Sequence, residues 1–149
     1  MAKEKIQRKE EHSKEPLSGI LWIIDDLSDS HNLRTRNESV LNKIFATGRH
    51  SSQSVWLNCH ALSAVGPLLR KNASCLVIFK ISNHKEYDML REEYAHLVGK
   101  EEFDQIYQMA VGKGSPPYRF LTILPHEQDE NKMFLARFDQ RLVVESESD

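Results

Sequence analysis

Cysteine is scarce, with two residues among 149, Cys59 and Cys75. A disulfide framework is excluded, and a reducing compartment is the default. No Cys-x-x-Cys and no His-Glu-x-x-His occurs, so the usual zinc spacings are missing despite seven histidines. An excess of one charge sign is missing too. Twenty Lys and Arg stand against 22 Asp and Glu, a net charge of −2. That excludes a histone-like polycation, though not a local basic patch. The longest clearly apolar run, Ile20 to Ile24, is far below the ~20 residues of a membrane span. The opening Met-Ala-Lys-Glu-Lys is hydrophilic and lacks a signal-peptide core. These absences lead us to expect a soluble intracellular protein with no membrane partner.

What is present suits a globular fold. Apolar residues make up 40% and charged residues 28% of the chain, enough for one domain with a real core. The ends differ from the middle. Residues 1–16 hold five basic and four acidic side chains and read as a charged, flexible lead-in. Residues 126–149 hold three basic and seven acidic side chains and read as an acidic C-terminal tail, frayed over Glu145 to Asp149. Residues 17–125 carry the strong periodic signals.

That middle segment alternates strand and helix. Ile20-Leu21-Trp22-Ile23-Ile24 suits a strand buried on both faces, as in a parallel sheet. Leu33, Val40, Leu41, Ile44 and Phe45 share a helical face, with Gly48 as the stop. Ser54 to Cys59 reads as a second buried strand, Gly66-Pro67 opens a short helical turn, and Cys75 to Phe79 reads as a third strand. Asn83 with Glu86 makes a capping box, followed by a stripe of Tyr87, Leu90, Tyr94 and Leu97. Phe103, Ile106, Tyr107 and Ala110 mark another helix, ended by Gly112 and Gly114. Tyr118 to Leu124 is the last strand. The order predicts an α/β fold with a mostly parallel sheet and flanking helices.

Function in such sheets gathers at the carboxyl ends of the strands. The residues there are Asp25-Asp26, then Asn58-Cys59-His60, then Lys80. In nucleotide hydrolases, one carboxylate at such a strand end holds Mg²⁺ and the next polarises the attacking water. The plain alternative is that turns favour Asp after any strand.

The succession of motifs along the chain speaks for the first reading. Ile-Leu-Trp-Ile-Ile-Asp-Asp-Leu is Walker-B-like; Gly48-Arg49-His50 precedes a strand, and Leu69-Arg70-Lys71-Asn72-Ala73 precedes the next. Over residues 19–124 this succession resembles the second half of the genome-packaging ATPases of large DNA viruses, the poxvirus type. These belong to the FtsK/HerA superfamily of P-loop motors. The resemblance implies a partial RecA-like P-loop ATPase core. It implies that Asp25 holds magnesium and that Asp26 takes the place of the catalytic acid, where many relatives have Glu. Asn58 or His60 would serve as the polar sensor at the end of the second strand, a position where Gln is frequent. Arg49 and Arg70 are both candidates for an arginine finger acting across subunits, a task suited to a permanently charged fork.

The Walker A loop, Gly-x-x-x-x-Gly-Lys-[Ser/Thr], is not in this chain. Only Gly99 and Gly112 precede Lys; the earlier glycine is replaced by Tyr94 and Tyr107, and the hydroxyl residue by Glu101 and Gly114. The resemblance therefore implies the Walker B and sensor half of a DNA-translocating ATPase, inactive alone, as a split, decayed or mis-started gene product. ATP and Mg²⁺ would bind only with a complementing P-loop half. Expected partners are double-stranded DNA and either identical subunits in a ring or a Walker A chain. Expected locations are the cytoplasm, a viral replication or assembly site, or the virion. The other reading is a non-catalytic DNA-binding or assembly module derived from such an ATPase. Arg34, Arg36, Lys43 and Arg49 form a basic cluster that could touch a DNA backbone, although the first three read first as a solvated helix face.

Overall fold

The computed structural model describes residues 19–26, 40–114 and 116–144. The lead-in 1–16, Leu33, Arg34, Arg36 and the last residues from Glu145 lie outside the described residues.

The first two strands form as their β-branched and aromatic runs predict. β1 (Ile20–Asp25) and β2 (Gln53–Asn58) pair in parallel, in register from Ile20 opposite Gln53 to Asp25 opposite Asn58. The crossover carries α1 (Val40–Thr47) and a 3-10 turn over Gly48–Ser51. A Cβ at Gly48 would press on the Gln53 carbonyl oxygen at 3.2 Å, so glycine lets this turn close against β2. α2 (Pro67–Asn72) begins with proline at its first position, where no amide hydrogen bond is lost. It ends with Arg70 and Lys71, at the negative end of the helix dipole.

β3 (Leu76–Phe79) starts a second sheet. It leads to α3 (His84–Tyr94), capped by Asn83, whose side-chain oxygen accepts from the Lys85 amide at 2.9 Å. α4 (Lys100–Val111) follows, and Phe103, Ile106, Tyr107 and Ala110 are all buried, as their spacing predicts. β4 (Phe120–Ile123) pairs with β3, β5 (Phe134–Ala136) with β4, and β6 (Gln140–Arg141) with β5, all antiparallel. The larger core lies between this sheet and the helices α3 and α4. Leu90, Phe103, Ile106, Leu121, Ile123 and Phe134 meet there, with the Phe103 and Phe134 rings edge to face at 5.9 Å. A smaller cluster joins Val65 and Leu69 to Leu41, Phe45, Leu57 and Cys59, tying α1 and α2 to one face of β2.

Three expectations are corrected. Among the described residues the sheet is not mostly parallel: β1 and β2 pair that way, while β3, β4, β5 and β6 are antiparallel. Apolar runs of four or five residues look alike in both kinds of sheet, so composition could not tell them apart. β1 is not buried on both faces. Within the chain its pattern is largely exposed, because β1 and β2 form a two-stranded sheet with the small cluster on one side. On the other side Ile23 and Trp56, opposite each other in register, are 70% and 71% exposed. Finally, residues 126–144 are not a tail. Their β5 and β6 complete the second sheet, and Phe134 and Ala136 enter the core. A net negative composition concealed one short apolar segment. No helix among the described residues is long and apolar enough to cross a membrane.

Candidate functional site

Parallel pairing brings the carboxyl ends of β1 and β2 side by side. Asp25 and Asn58 are register partners, and the Asn58 amide Nδ2 donates to Asp25 Oδ1 at 2.8 Å. The second Asp25 oxygen has no protein partner among the described residues. At Asp26 the chain turns sharply, with φ of +51°, a left-handed conformation that Asp tolerates better than most residues. Its backbone amide donates to the Asn58 carbonyl at 3.3 Å. Two residues beyond Asn58, the His60 ring Nε2 stands 3.3 Å from Asp26 Oδ1, with both side chains exposed. Asp25, Asp26, Asn58 and His60 thus converge on one solvent-facing ridge, although 33 positions separate the two halves of the Asp25–Asn58 contact.

The loop that carries His60 onward from β2 is pinned from below. The Arg70 Nη1 donates to the carbonyls of Leu62, at 3.3 Å, and of Val65, while its Nε donates to Glu93 Oε2 at 2.6 Å. The Arg70 and Glu93 side chains are 10% and 16% exposed, so this is a partly buried ion pair joining α2, α3 and the loop. From α3, Glu86 accepts the Ser63 amide at 3.1 Å. Burial works against the charged form of Glu86, but the hydrogen bonds from Ser63 and Leu62 and the nearby Arg70 outweigh it, holding its carboxyl below the usual range. Glu86 therefore grips the loop. Of the predicted capping box, the structure keeps the Asn83 cap, while the Glu86 carboxylate turns to Ser63.

Among the residues singled out in the sequence, four come together and two stand apart. Arg70 is committed inside its own chain. Arg49 lies in the Gly48–Ser51 turn, ahead of β2, and its side chain is outside the described residues. Cys59 packs in the small cluster, where burial pushes its thiol up, so it remains a neutral core group. Glu86 and Glu93 were missed as supports of the site. Nothing in a single sequence links them to a loop more than 20 positions away.

The donor set suits magnesium chemically. Two carboxylates at a rigid strand end offer hard oxygen ligands, and Mg²⁺ characteristically takes one or two protein carboxylates, keeping waters and substrate phosphates for the rest. Among the described residues no group of three or more His, Cys, Asp or Glu could hold a metal unaided.

Against known proteins, the model of a family described as poxvirus A32 protein matches residues 1–124, taking in the charged lead-in as well as the motif-bearing segment. No curated protein matches the chain. Among solved structures it is similar to B204, the DNA-packaging ATPase from Sulfolobus turreted icosahedral virus, with a TM-score of 0.56 and 16% identity over 78% of this chain and 50% of that one. The genome-packaging NTPase B204 from Sulfolobus turreted icosahedral virus 2 is similar too. In complex with ATP-gammaS it gives a TM-score of 0.55 and 16% identity, over 73% of this chain and 48% of that one. In complex with AMPPCP it gives 0.56 and 15%, over 84% and 53%. The chain spans about half the length of these structures.

Proposed function

The chain belongs to the poxvirus A32 protein family, and from that premise we propose that it is the Walker B and sensor half of a viral DNA-packaging ATPase of the FtsK/HerA type. The observation that carries this reading is the convergence of Asp25, Asp26, Asn58 and His60 at the ends of two parallel strands. When bound, Mg²⁺ would neutralise charge developing on the β- and γ-phosphates. Asp25, steadied by Asn58, would hold the metal. Asp26 orients and polarises the water, and His60 fixes the Asp26 carboxylate by donating from Nε2. A phosphate cradle must come from a second segment, because none of the six glycines here builds one. Arg49 is the finger candidate, since the Arg70 guanidinium already serves its own chain. Double-stranded DNA is the polymer moved, and a viral assembly site is the place.

The chain alone binds and turns over no ATP. Supplied with a chain bearing the Walker A half, the pair binds Mg-ATP and hydrolyses it. Asp26→Asn retains nucleotide binding and loses turnover, while Asp25→Asn weakens Mg-ATP binding itself. Wild-type turnover by Asp26→Asn in the reconstituted pair would sink the assignment. The absent Walker A motif favours one other reading, a non-catalytic assembly or DNA-binding module. A pair that binds DNA without ever hydrolysing ATP would establish it.

A further inference from the structure

A second polar site lies in the other sheet and shares no residue with the strand-end carboxylates. The described residues between α4 and β4, with Lys80, line a half-open cavity of about 190 Å³, bordered by Lys80, Lys113 and Arg119 and by no acidic side chain among the described residues. Antiparallel pairing of Phe79 with Phe120 sets Lys80, just after β3, across from Arg119, just before β4. Among the described residues none of the three cations makes an ion pair. Three positive side chains thus border one small pocket, and among the described residues no carboxylate pairs with any of them.

The loop backbone is shaped for this arrangement. A Cβ at Gly112 would overlap the Gln108 carbonyl oxygen, so only glycine lets the chain leave α4 here. Gly114 has φ of +88°, and Pro116-Pro117 stiffen the return. Next comes Tyr118, 88% exposed and held at φ of +65°, an uncommon conformation for an aromatic residue. The cavity is smaller than the ~300 Å³ at which pockets for whole small molecules begin. It suits a single anionic group projecting from a larger body.

We propose that this cavity binds a backbone phosphate of nucleic acid, with Lys80, Lys113 and Arg119 donating to its oxygens and the Tyr118 ring lying against the adjoining base. A guanidinium forks onto two phosphate oxygens, and the ammonium groups add point charges. Basic side chains beside an exposed aromatic ring are how single strands are held without sequence preference. The inference rests on the DNA-packaging reading only in that the polymer is a nucleic acid; the strand held here is single, unlike the duplex that reading has the motor move.

Fluorescence anisotropy with the full 149-residue chain and a labelled single-stranded oligonucleotide tests it. Lys113→Ala and Arg119→Ala each weaken binding equally across sequences and flatten the slope of log K against log salt by about 0.7. Tyr118→Ala weakens binding roughly 5-fold or more with the slope unchanged. Lys113 is an exposed loop residue, so its variant keeps the wild-type melting curve. Wild-type affinity and slope in the Lys113→Ala and Arg119→Ala chains would overturn the proposal. Displacement of the oligonucleotide by equimolar tripolyphosphate would overturn it as well, assigning the cavity to a free nucleotide's phosphates. If these variants behave as expected while Asp26→Asn hydrolyses normally in the reconstituted pair, the phosphate site stands and the strand-end assignment falls.

Discussion

Replacing Arg70 with alanine separates a structural clamp from an arginine finger. The side chain reaches three partners within its own chain: Glu93 at 2.6 Å and the carbonyls of Leu62 and Val65. With Arg70 10% and Glu93 16% exposed, solvent screens the pair little. Removing one member of a buried pair costs about 3–5 kcal/mol, because the other charge is left without compensation. The lower end applies here, since water can reach Glu93 once the guanidinium is gone. At roughly 2–4 °C per kcal/mol for a chain of this size, about 3 kcal/mol lowers Tm by roughly 6–12 °C. Circular dichroism melts at neutral pH read this directly. The double variant Arg70→Met, Glu93→Leu recovers part of the loss, since an apolar pair can replace a buried ion pair, but the two loop carbonyls stay without their donor. In a reconstituted motor, mixing with subunits deficient only at Asp26 leaves Arg70→Ala defective, because its fault lies within the chain. The same mixing rescues Arg49→Ala if Arg49 acts across the interface. An Arg70→Ala chain that melts with the wild type, yet is rescued by mixing, would refute the clamp.

Glu86 has a depressed native carboxyl, so its stabilisation is complete above the unfolded carboxylate value and is lost as pH falls through the lower native value. Glu86→Gln should therefore lower Tm at neutral pH and flatten its decline on the acid side; parallel wild-type and variant curves from neutral to acid pH would count against the Ser63 contact. Phe134→Ala empties a fully buried ring site and should cost about 3–5 kcal/mol in denaturant unfolding, a loss that a loose tail would not show. Trp56, 71% exposed, should fluoresce as a water-exposed indole that acrylamide quenches readily, and a complementing half that covers its sheet face should shield it; poor quenching in the lone chain would show that the face is already covered.

Much of the local structure was readable from residue order. Gly19 before an apolar run, Asn83 before a helical stripe and Phe103-x-x-Ile106-Tyr107-x-x-Ala110 each depend on near-neighbour chemistry, and the corresponding strands and helices form. Asp25-Asp26 could be singled out for the same reason, as two carboxylates at the end of a short apolar strand. The direction in which β4 pairs was decided elsewhere, since the apolar runs of β3 and β4 carry no mark of orientation. So was the place of Phe134, whose neighbours are charged enough to hide it. The partners of Asp25 and Asp26 needed the parallel register that sets Asn58 and His60 beside them. Arg70 shows the division most plainly. Sequence alone determined that a permanently charged fork stands between a turn and a strand. Only the tertiary arrangement decided that Glu93, 23 positions away, and the loop carbonyls of Leu62 and Val65 would occupy it, because such contacts depend on how the chain comes together in space.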